Sequence, residues 1–497
     1  MDYLLAHDLG TTGNKAVLFT TDGSPVAREF CPYPTAYPAP GFAEQSAHNW
    51  WNAVVTAGQR LIDRSGIDAG RIAVVSFSGQ MMGCLPVGGD GEPLRDSIIW
   101  ADLRATDQAA ELARTIPPEV AYRITGHRIS ASYGLPKLMW VRDHEPDLFR
   151  KTAMVLNAKE YAVWLLAGVM VTDYSDAGGT GAFDLRGLRW SPELLDAAGI
   201  ARSIFPEAVP STTVVGAVTD TASRQTGLRS GTPVVIGGGD GACATIGAGA
   251  VRDGDAYNVI GSSGWIATAS RDPMLDPGQR TFTWVHPDPS LYIPCGTIQA
   301  AGLSYAWLAD TVSDSAYETL NRLAMDSEPG ARALVFLPHL LGERSPGWNA
   351  SARGAFIGLS ARHGIGDLAR AVLEGVAHAF RSVLDVFDER SDIGHLTLIG
   401  GAARNDAWAQ ILADVYEREI RIPKAVEDAT SVGAIACGGV GVGTFTDFGC
   451  VDRMLTAERT IRPDATTAAI HRKMHGIYRD ADDALASTYD RLASLYG

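Results

Sequence analysis

Short apolar runs bounded by turn residues open the chain. Tyr3–His7, Lys15–Thr20 and Pro25–Phe30 alternate with polar bends, and Thr21-Asp22-Gly23 has the chemistry of a hairpin turn. The pattern predicts a β-meander. Its first bend, Asp8-Leu9-Gly10-Thr11-Thr12-Gly13-Asn14, is polar and glycine-rich. A similar unit returns in the second half: the run Ala256–Ile260, the loop Gly261-Ser262-Ser263-Gly264, then the run Trp265–Ala269. One strand–loop–strand unit in each half points to a duplicated architecture, although residue identity between the two is too low to establish a repeat.

Strand and helix signals alternate elsewhere. Arg71–Phe77 reads as a buried strand, Leu135–Arg142 and Ala158–Leu166 as helices, and Thr232–Ile236 as a strand running into Gly237-Gly238-Gly239-Asp240. Leu368, Ala371, Val372, Gly375, Val376, Ala379, Phe380 and Val383 follow a 3.6-residue period and predict one long amphipathic helix. His395–Ile399 reads as a strand, Gly400–Arg404 as a small-residue loop, and a helix capped by Asn405 follows with Trp408, Ile411, Leu412 and Val415 on one face. The segment 452–497 reads as helical, packing on either half. No long Pro/Ser linker appears, so the halves are expected to join compactly around Gly247–Gly254.

Composition narrows the class. The 497 residues are 46% hydrophobic and 20% charged, those of an ordinary globular chain with room for two or three domains. A net charge of −15 argues against nucleic acid or an anionic membrane surface as partner, since both require a basic face. Six cysteines without a CxxC pair predict a reduced, cytoplasmic protein. The N-terminal residues lack the features of a signal peptide, and no apolar run reaches 18 residues. The eleven histidines show no ligand spacing, so no metal site built from protein ligands alone is expected.

Candidate chemistry lies in the bends. DLGTT at 8–12 puts a carboxylate at a strand end beside amides and hydroxyls that can cradle a phosphate, with Asp8 placed to position a divalent cation; it also fits an ordinary hairpin turn. There is no GxxxxGK[ST] motif. GGGDGACATIGAG at 237–249 places Asp240 at a strand end among glycines, as a general base for a hydroxyl or as a helix cap. The loop with Gly400, Gly401 and Asn405 leaves room for a flat nucleoside against the backbone, or serves as a packing turn. SFSGQMMG at 76–83 and IIWADLRA at 98–105 supply Met81, Met82, Trp100 and Asp102 as candidate substrate contacts or turn residues. Glu343, Arg344 and Arg353 suggest a salt-bridged loop at the domain interface.

The order of these motifs carries more than any one of them. DLGTTxxK ending at Lys15, SGQMMG, WADLR, SDAGGT at 175–180, GGGD, GSSG, the FLPHLLGERSP block and GGAARNDAWAQ resemble the FGGY carbohydrate kinases, xylulokinases most closely, from residue 3 to about 445. The resemblance implies an α/β protein of two ribonuclease H-like domains, of the actin/hexokinase/Hsp70 superfamily, around a central cleft. Residues 1–247 would form the sugar and phosphate side and 248–497 the nucleotide side. It further implies ATP and Mg²⁺, D-xylulose as first substrate, and a homodimer, as is common in the family. Asp240 would be the general base and Asp8 would hold Mg²⁺. Thr11, Thr12, Lys15, Gly261, Ser262 and Ser263 would face phosphates. Gly302, Gly400, Gly401 and Asn405 would border adenosine, and Met81 and Met82 the sugar. Met82 and Gly241 stand where the xylulokinase pattern has His and Asn, which leaves another ketose or polyol (ribulose, erythritol, glycerol) as the alternative; a non-catalytic sensor on the same fold is disfavoured by the retention of Asp8, Asp240 and both phosphate loops.

Overall fold

The structure, a computed structural model, describes residues 2–313, 316–424, 428–455 and 457–495. Its first sheet contains β1 (Tyr3–Leu9), β2 (Gly13–Thr20), β3 (Pro25–Pro32), β4 (Ile72–Gly79), β5 (Val214–Ala217) and β6 (Pro233–Gly239), in the order β5-β6-β4-β1-β2-β3. The meander predicted for the N-terminus is its antiparallel half. β4 and β6 are parallel to β1, and β5 closes the edge antiparallel.

The second sheet contains β7 (Ala256–Ile260), β8 (Gly264–Thr268), β9 (Phe282–Val285), β10 (Tyr292–Ile298), β11 (His395–Gly400), β12 (Glu419–Pro423) and β13 (Ala457–Ile461), in the order β9-β10-β8-β7-β11-β12-β13. Apart from β9 it repeats the first: an antiparallel meander, two strands parallel to its first strand, and an antiparallel edge. The duplication suggested by the two strand–loop–strand units is present in the topology.

The helices that matter for the site are α1 (Ala47–Ser65), α2 (Gly134–His144), α3 (Ala158–Ala167), α4 (Asp240–Gly247), α5 (Ile365–Asp388), α6 (Asp406–Tyr416), α7 (Ala429–Gly441) and α8 (Ala465–Ala493). α5 is the long amphipathic helix expected from its period, and most of its apolar positions are buried. The Asn405 side chain accepts from Trp408 N at 3.2 Å and caps α6 as expected. The segment 452–497 differs from a continuous helix: Ala457–Ile461 is an edge strand before α8 begins. Met474, Tyr478 and Tyr489 of α8 join the core around α5 and α6, while Met454 and Leu455 pack against the first sheet, so the segment touches both halves. No helix among the described residues is long and apolar enough to cross a membrane.

Each parallel half-sheet ends in a helix made of small residues, α4 after β6 and α7 after β12. The two helices cross, and α7 lies on the first sheet, with Val432, Ile435 and Ala436 packed among Leu4, Ala6, Val74 and Val235. In return Ala242 of α4 packs with Tyr257 and Ala267 of the second sheet. The crossing is tight enough to require glycine. A Cβ on Gly247 would lie 1.8 Å from Ala429 O, and one on Gly433 would lie 2.0 Å from Cys243 O.

Glycine to alanine inside a helix ordinarily stabilises by about 1 kcal/mol. Gly433→Ala is expected to reverse that sign through overpacking, costing about 1–3 kcal/mol or more. Thermal unfolding of the variant checks this, and an unchanged or raised midpoint would show that the crossing tolerates a methyl group.

Candidate active site

Two carboxylates stand where the two halves meet. Asp8 sits on the penultimate position of β1, where its Oδ2 accepts from Thr430 Oγ1 of α7 and lies 3.8 Å from Lys15 Nζ. Lys15 also stands 3.7 Å from Asp428 Oδ1, and Arg28 Nε donates to Asp428 Oδ2 at 2.8 Å. The start of α7 is thus tied to β2 and β3 by ions. Asp8 Oδ1 is buried and meets no hydrogen-bond partner among the described residues. An orphaned buried carboxylate oxygen costs free energy unless something pairs with it, and a hard cation suits it.

Asp240 opens α4, with Gly239 rather than Asp240 in the capping position. Its Oδ1 accepts from Gly241 N at 2.7 Å. Burial, and then the charge of Asp8, raise its carboxyl from the ordinary 3.8 to about 7. The strand behind it is fixed by a buried polar network. Gly239 N donates to Ser175 Oγ at 2.9 Å, and Ser175 Oγ donates to Asp173 Oδ2 at 2.5 Å. Lys159 Nζ, fully buried on α3, is 2.7 Å from Asp173 Oδ1 and 2.9 Å from Asp176 Oδ2. Burial alone would lower this ammonium, but the two aspartates hold it above its usual value. SDAGGT therefore works behind the candidate base.

On the sugar-side loops, Met81 is buried and pressed against β6, where a Cβ on Gly239 would fall 2.5 Å from Met81 Cγ. Met82 has φ 62°, and Trp100 is 42% exposed, its Nε1 donating to Thr11 Oγ1 at 2.9 Å. Asp102 takes the turn-residue role, its Oδ1 accepting from Arg104 N at 2.9 Å. It is fully buried, paired with Arg104 Nη2 at 2.7 Å, and accepts Ala43 N. Its carboxylate is consumed in anchoring the loop that presents Trp100.

The Gly/Ser/Thr bends behave differently from one another. Thr11 is half-buried and Thr12 exposed, in a bend closed by Gly10 N to Gly13 O at 3.1 Å. Gly261, Ser262 and Ser263 are exposed in the turn between β7 and β8, which is braced from behind. A Cβ on Gly302 would meet Gly261 O at 2.3 Å. Gly261, Ser262, Gly302, Gly401 and Asn405 all line one open cavity of about 490 Å³. Gly400 lies at the end of β11 beside it, at φ 87°, where a Cβ would strike Ile260 O at 2.6 Å.

Several contributors escaped the motif reading. Asn321 and Tyr305 line the cavity, with Asn405 Nδ2 and Tyr305 Oη both donating to Asn321 Oδ1, at 2.9 and 2.8 Å. Thr430 and Asp428 meet the first sheet from about 400 residues away; the one available signal is that Asp428 followed by small residues echoes Asp240 followed by small residues. The block with Glu343, Arg344 and Arg353 is held by stacking and backbone bonds where its pattern suggested salt bridges. Arg344 lies 5.1 Å from the Phe282 ring and 5.6 Å from Trp348, Glu343 accepts Gly347 N, and Arg353 donates to Ala350 and Ala352 carbonyls.

A duplicated fold with two carboxylates at its junction and an open cavity in the second half is compatible with phosphoryl transfer. The family models for the N- and C-terminal domains of the FGGY family of carbohydrate kinases match residues 3–247 and 256–442. The chain belongs to the FGGY carbohydrate kinases and is a sugar kinase. It is 31% identical to the xylulose kinase of Bacillus subtilis over 485 residues, 97% of this chain and 96% of that protein. It is equally 31% identical to the gluconokinase of the same organism over 504 residues, 99% and 98% of the two chains. The crystal structure of ligand-bound xylulose kinase from Lactobacillus acidophilus superposes with a TM-score of 0.94 at 29% identity, covering 99% of this chain and all of that one.

The charge placement at Asp240 has a measurable cost. Between pH 3.8 and about 7 the native state binds a proton that the unfolded chain releases, so ionised Asp240 destabilises the fold above that range. Asp240→Asn is expected to raise the unfolding temperature in buffer free of divalent cations and nucleotide. The gain should grow from pH 4 to 7 and stay level above. Calorimetry across that range checks it; a difference that does not vary with pH would show that Asp240 is not held in a raised state.

Proposed function

We propose that this chain transfers the γ-phosphoryl group of ATP to a hydroxyl of D-xylulose, giving D-xylulose 5-phosphate and ADP. The single observation that carries phosphoryl transfer is Asp240: a carboxylate that opens α4 between Gly239 and Gly241, beside the charge of Asp8, its pKa raised to about 7. A base with such a pKa is poised to take a proton near neutral pH.

In this reading the Asp240 carboxylate accepts the proton of the attacking sugar hydroxyl as its oxygen bonds to the γ-phosphorus and the bond to ADP breaks. The raised pKa reflects an environment that disfavours ionisation and makes the carboxylate a stronger base than a solvated aspartate. The unpaired Asp8 Oδ1 is a suitable ligand for Mg²⁺, with Thr430 and Lys15 orienting the other oxygen. Bound there, Mg²⁺ would neutralise charge developing on the phosphates. Thr11, Thr12, Gly261, Ser262 and Ser263 offer amides and hydroxyls to those phosphates from the two sheets, and Lys15 acts through its ion pair with Asp8. The cavity at Gly302, Gly401, Asn405 and Asn321 takes the adenosine, with Gly400 keeping its floor close to the backbone.

Gluconate is the second reading, because a gluconokinase matches as closely as a xylulose kinase does. The sugar pocket is ambiguous for a physical reason. A Cβ on Gly241 would come no closer than 3.8 Å to Met81 Sδ, so the missing amide there is a chemical choice and not a packing demand. Losing buried partners for a hydroxyl changes which polyol is preferred.

An ADP-release assay over D-xylulose, D-ribulose, D-gluconate, erythritol and glycerol tests the substrate. D-xylulose is expected to show the highest kcat/KM, and a higher value for another polyol replaces it. In the same assay Asp240→Asn is expected to lose at least a thousandfold in kcat while its affinity for ATP, measured by calorimetry, stays within threefold. Turnover near the parent's would remove Asp240 from the role of base.

A further inference from the structure

Lys137 carries a charge that no step above uses. It lies on α2, is fully buried, and its Nζ donates to three backbone carbonyls: Met82 O at 2.9 Å, Ile99 O at 2.7 Å and Ser132 O at 2.7 Å. Three acceptors at these distances require three donors, which only the protonated ammonium has. Burial pulls its pKa down to about 7, so placing a cation here is costly and the carbonyl cage has to compensate.

The three carbonyls belong to three separate segments. Met82 stands in the turn after β4 beside Met81, which packs against β6 next to Asp240. Ile99 immediately precedes Trp100, whose indole is bonded to Thr11. Ser132 ends the loop leading into α2, where Tyr133 N closes on Ser130 O. Met82 is also in the left-handed region at φ 62°, a conformation that a non-glycine residue keeps only when its surroundings hold it. Charge-assisted bonds from one rigid helix supply that hold.

We propose that Lys137 is a positioning residue of the sugar pocket: its ammonium gathers the Met82, Ile99 and Ser132 carbonyls and so sets the two loops that present Met81, Met82 and Trp100 to the substrate. The inference rests on the reading of those loops as the sugar side of the site. It assigns Lys137 to sugar affinity; its three bonds reach neither the Gly261–Ser263 turn nor the cavity at Asn405.

The test uses the full-length enzyme and the ADP-release assay with its best sugar. Lys137→Met fills the same space without donors, and is expected to raise the KM for sugar at least tenfold while kcat and the KM for ATP stay within threefold. A sugar KM within twofold of the parent, or kcat and both KM values changing together, overturns the proposal. If Lys137→Met does not fold, Lys137→Gln, which keeps two donors, is measured instead. It is expected to raise the sugar KM three- to tenfold at retained kcat, with the same overturning results. Met82→Ala is run alongside. If it leaves the sugar KM unchanged, the sugar-side reading fails and the Lys137 proposal with it. If it raises the sugar KM while the Lys137 variant does not, the Lys137 proposal alone fails.

Discussion

The crossing of α4 and α7 is the contact on which the rest depends. At Gly247 and Gly433 the two backbones approach to distances that exclude even a methyl group, each glycine facing a carbonyl of the other helix. Van der Waals contact at that range makes the junction stiff, because small-residue packing leaves neither void nor flexible side chain to absorb displacement. The helices begin where the halves meet, so the same contact that joins the halves also sets the separation of the groups at their N-termini. Asp240 starts one helix. Thr430 and Asp428, which hold Asp8, Lys15 and Arg28, start the other.

Around that crossing the protein spends buried charge where most proteins place apolar side chains. Lys159 is caged by Asp173 and Asp176, and Lys137 by three carbonyls, both fully buried. Such groups contribute little net stability, since desolvation offsets most of the attraction. What they provide is direction: an ammonium held between close acceptors of opposite charge or partial charge has few alternative geometries in a low-dielectric interior. Asp240 and the orphaned oxygen of Asp8 are the opposite case, charges left incompletely paired where the halves meet. The contrast separates groups that hold the framework from groups available for chemistry.

Much of the fold was legible because it rests on local periodicity. The N-terminal meander, β4, the long helix α5, and the strand, loop and capped helix at 395–416 all follow from alternation, a 3.6-residue period and capping chemistry. The glycine-rich bends were legible too, and Gly261, Ser262, Gly302, Gly401 and Asn405 do meet in one cavity. The C-terminal segment was misread as one helix, because Ala457–Ile461 forms a strand only by pairing with Glu419–Pro423, an edge that a local window cannot see. Asp102 stayed undecided between substrate contact and turn residue for a similar reason. As a sequence feature it matches Asp8, an acid beside a polar bend, and Arg104 and Ala43 take its carboxylate only in the folded chain.

By itself the sequence determined the two strand–loop–strand units, the helices between them and the family to which their order belongs. These depend on interactions within a few residues, or on a motif order that survives in one dimension. Tertiary structure alone decided which charges are spent and which are free. Thr430 reaches Asp8 across 422 positions, Arg28 reaches Asp428 across 400, and Lys137 draws in carbonyls from three segments. An ionisable side chain takes its chemistry from its burial and its partners, and both are set only when distant parts of the chain are packed together.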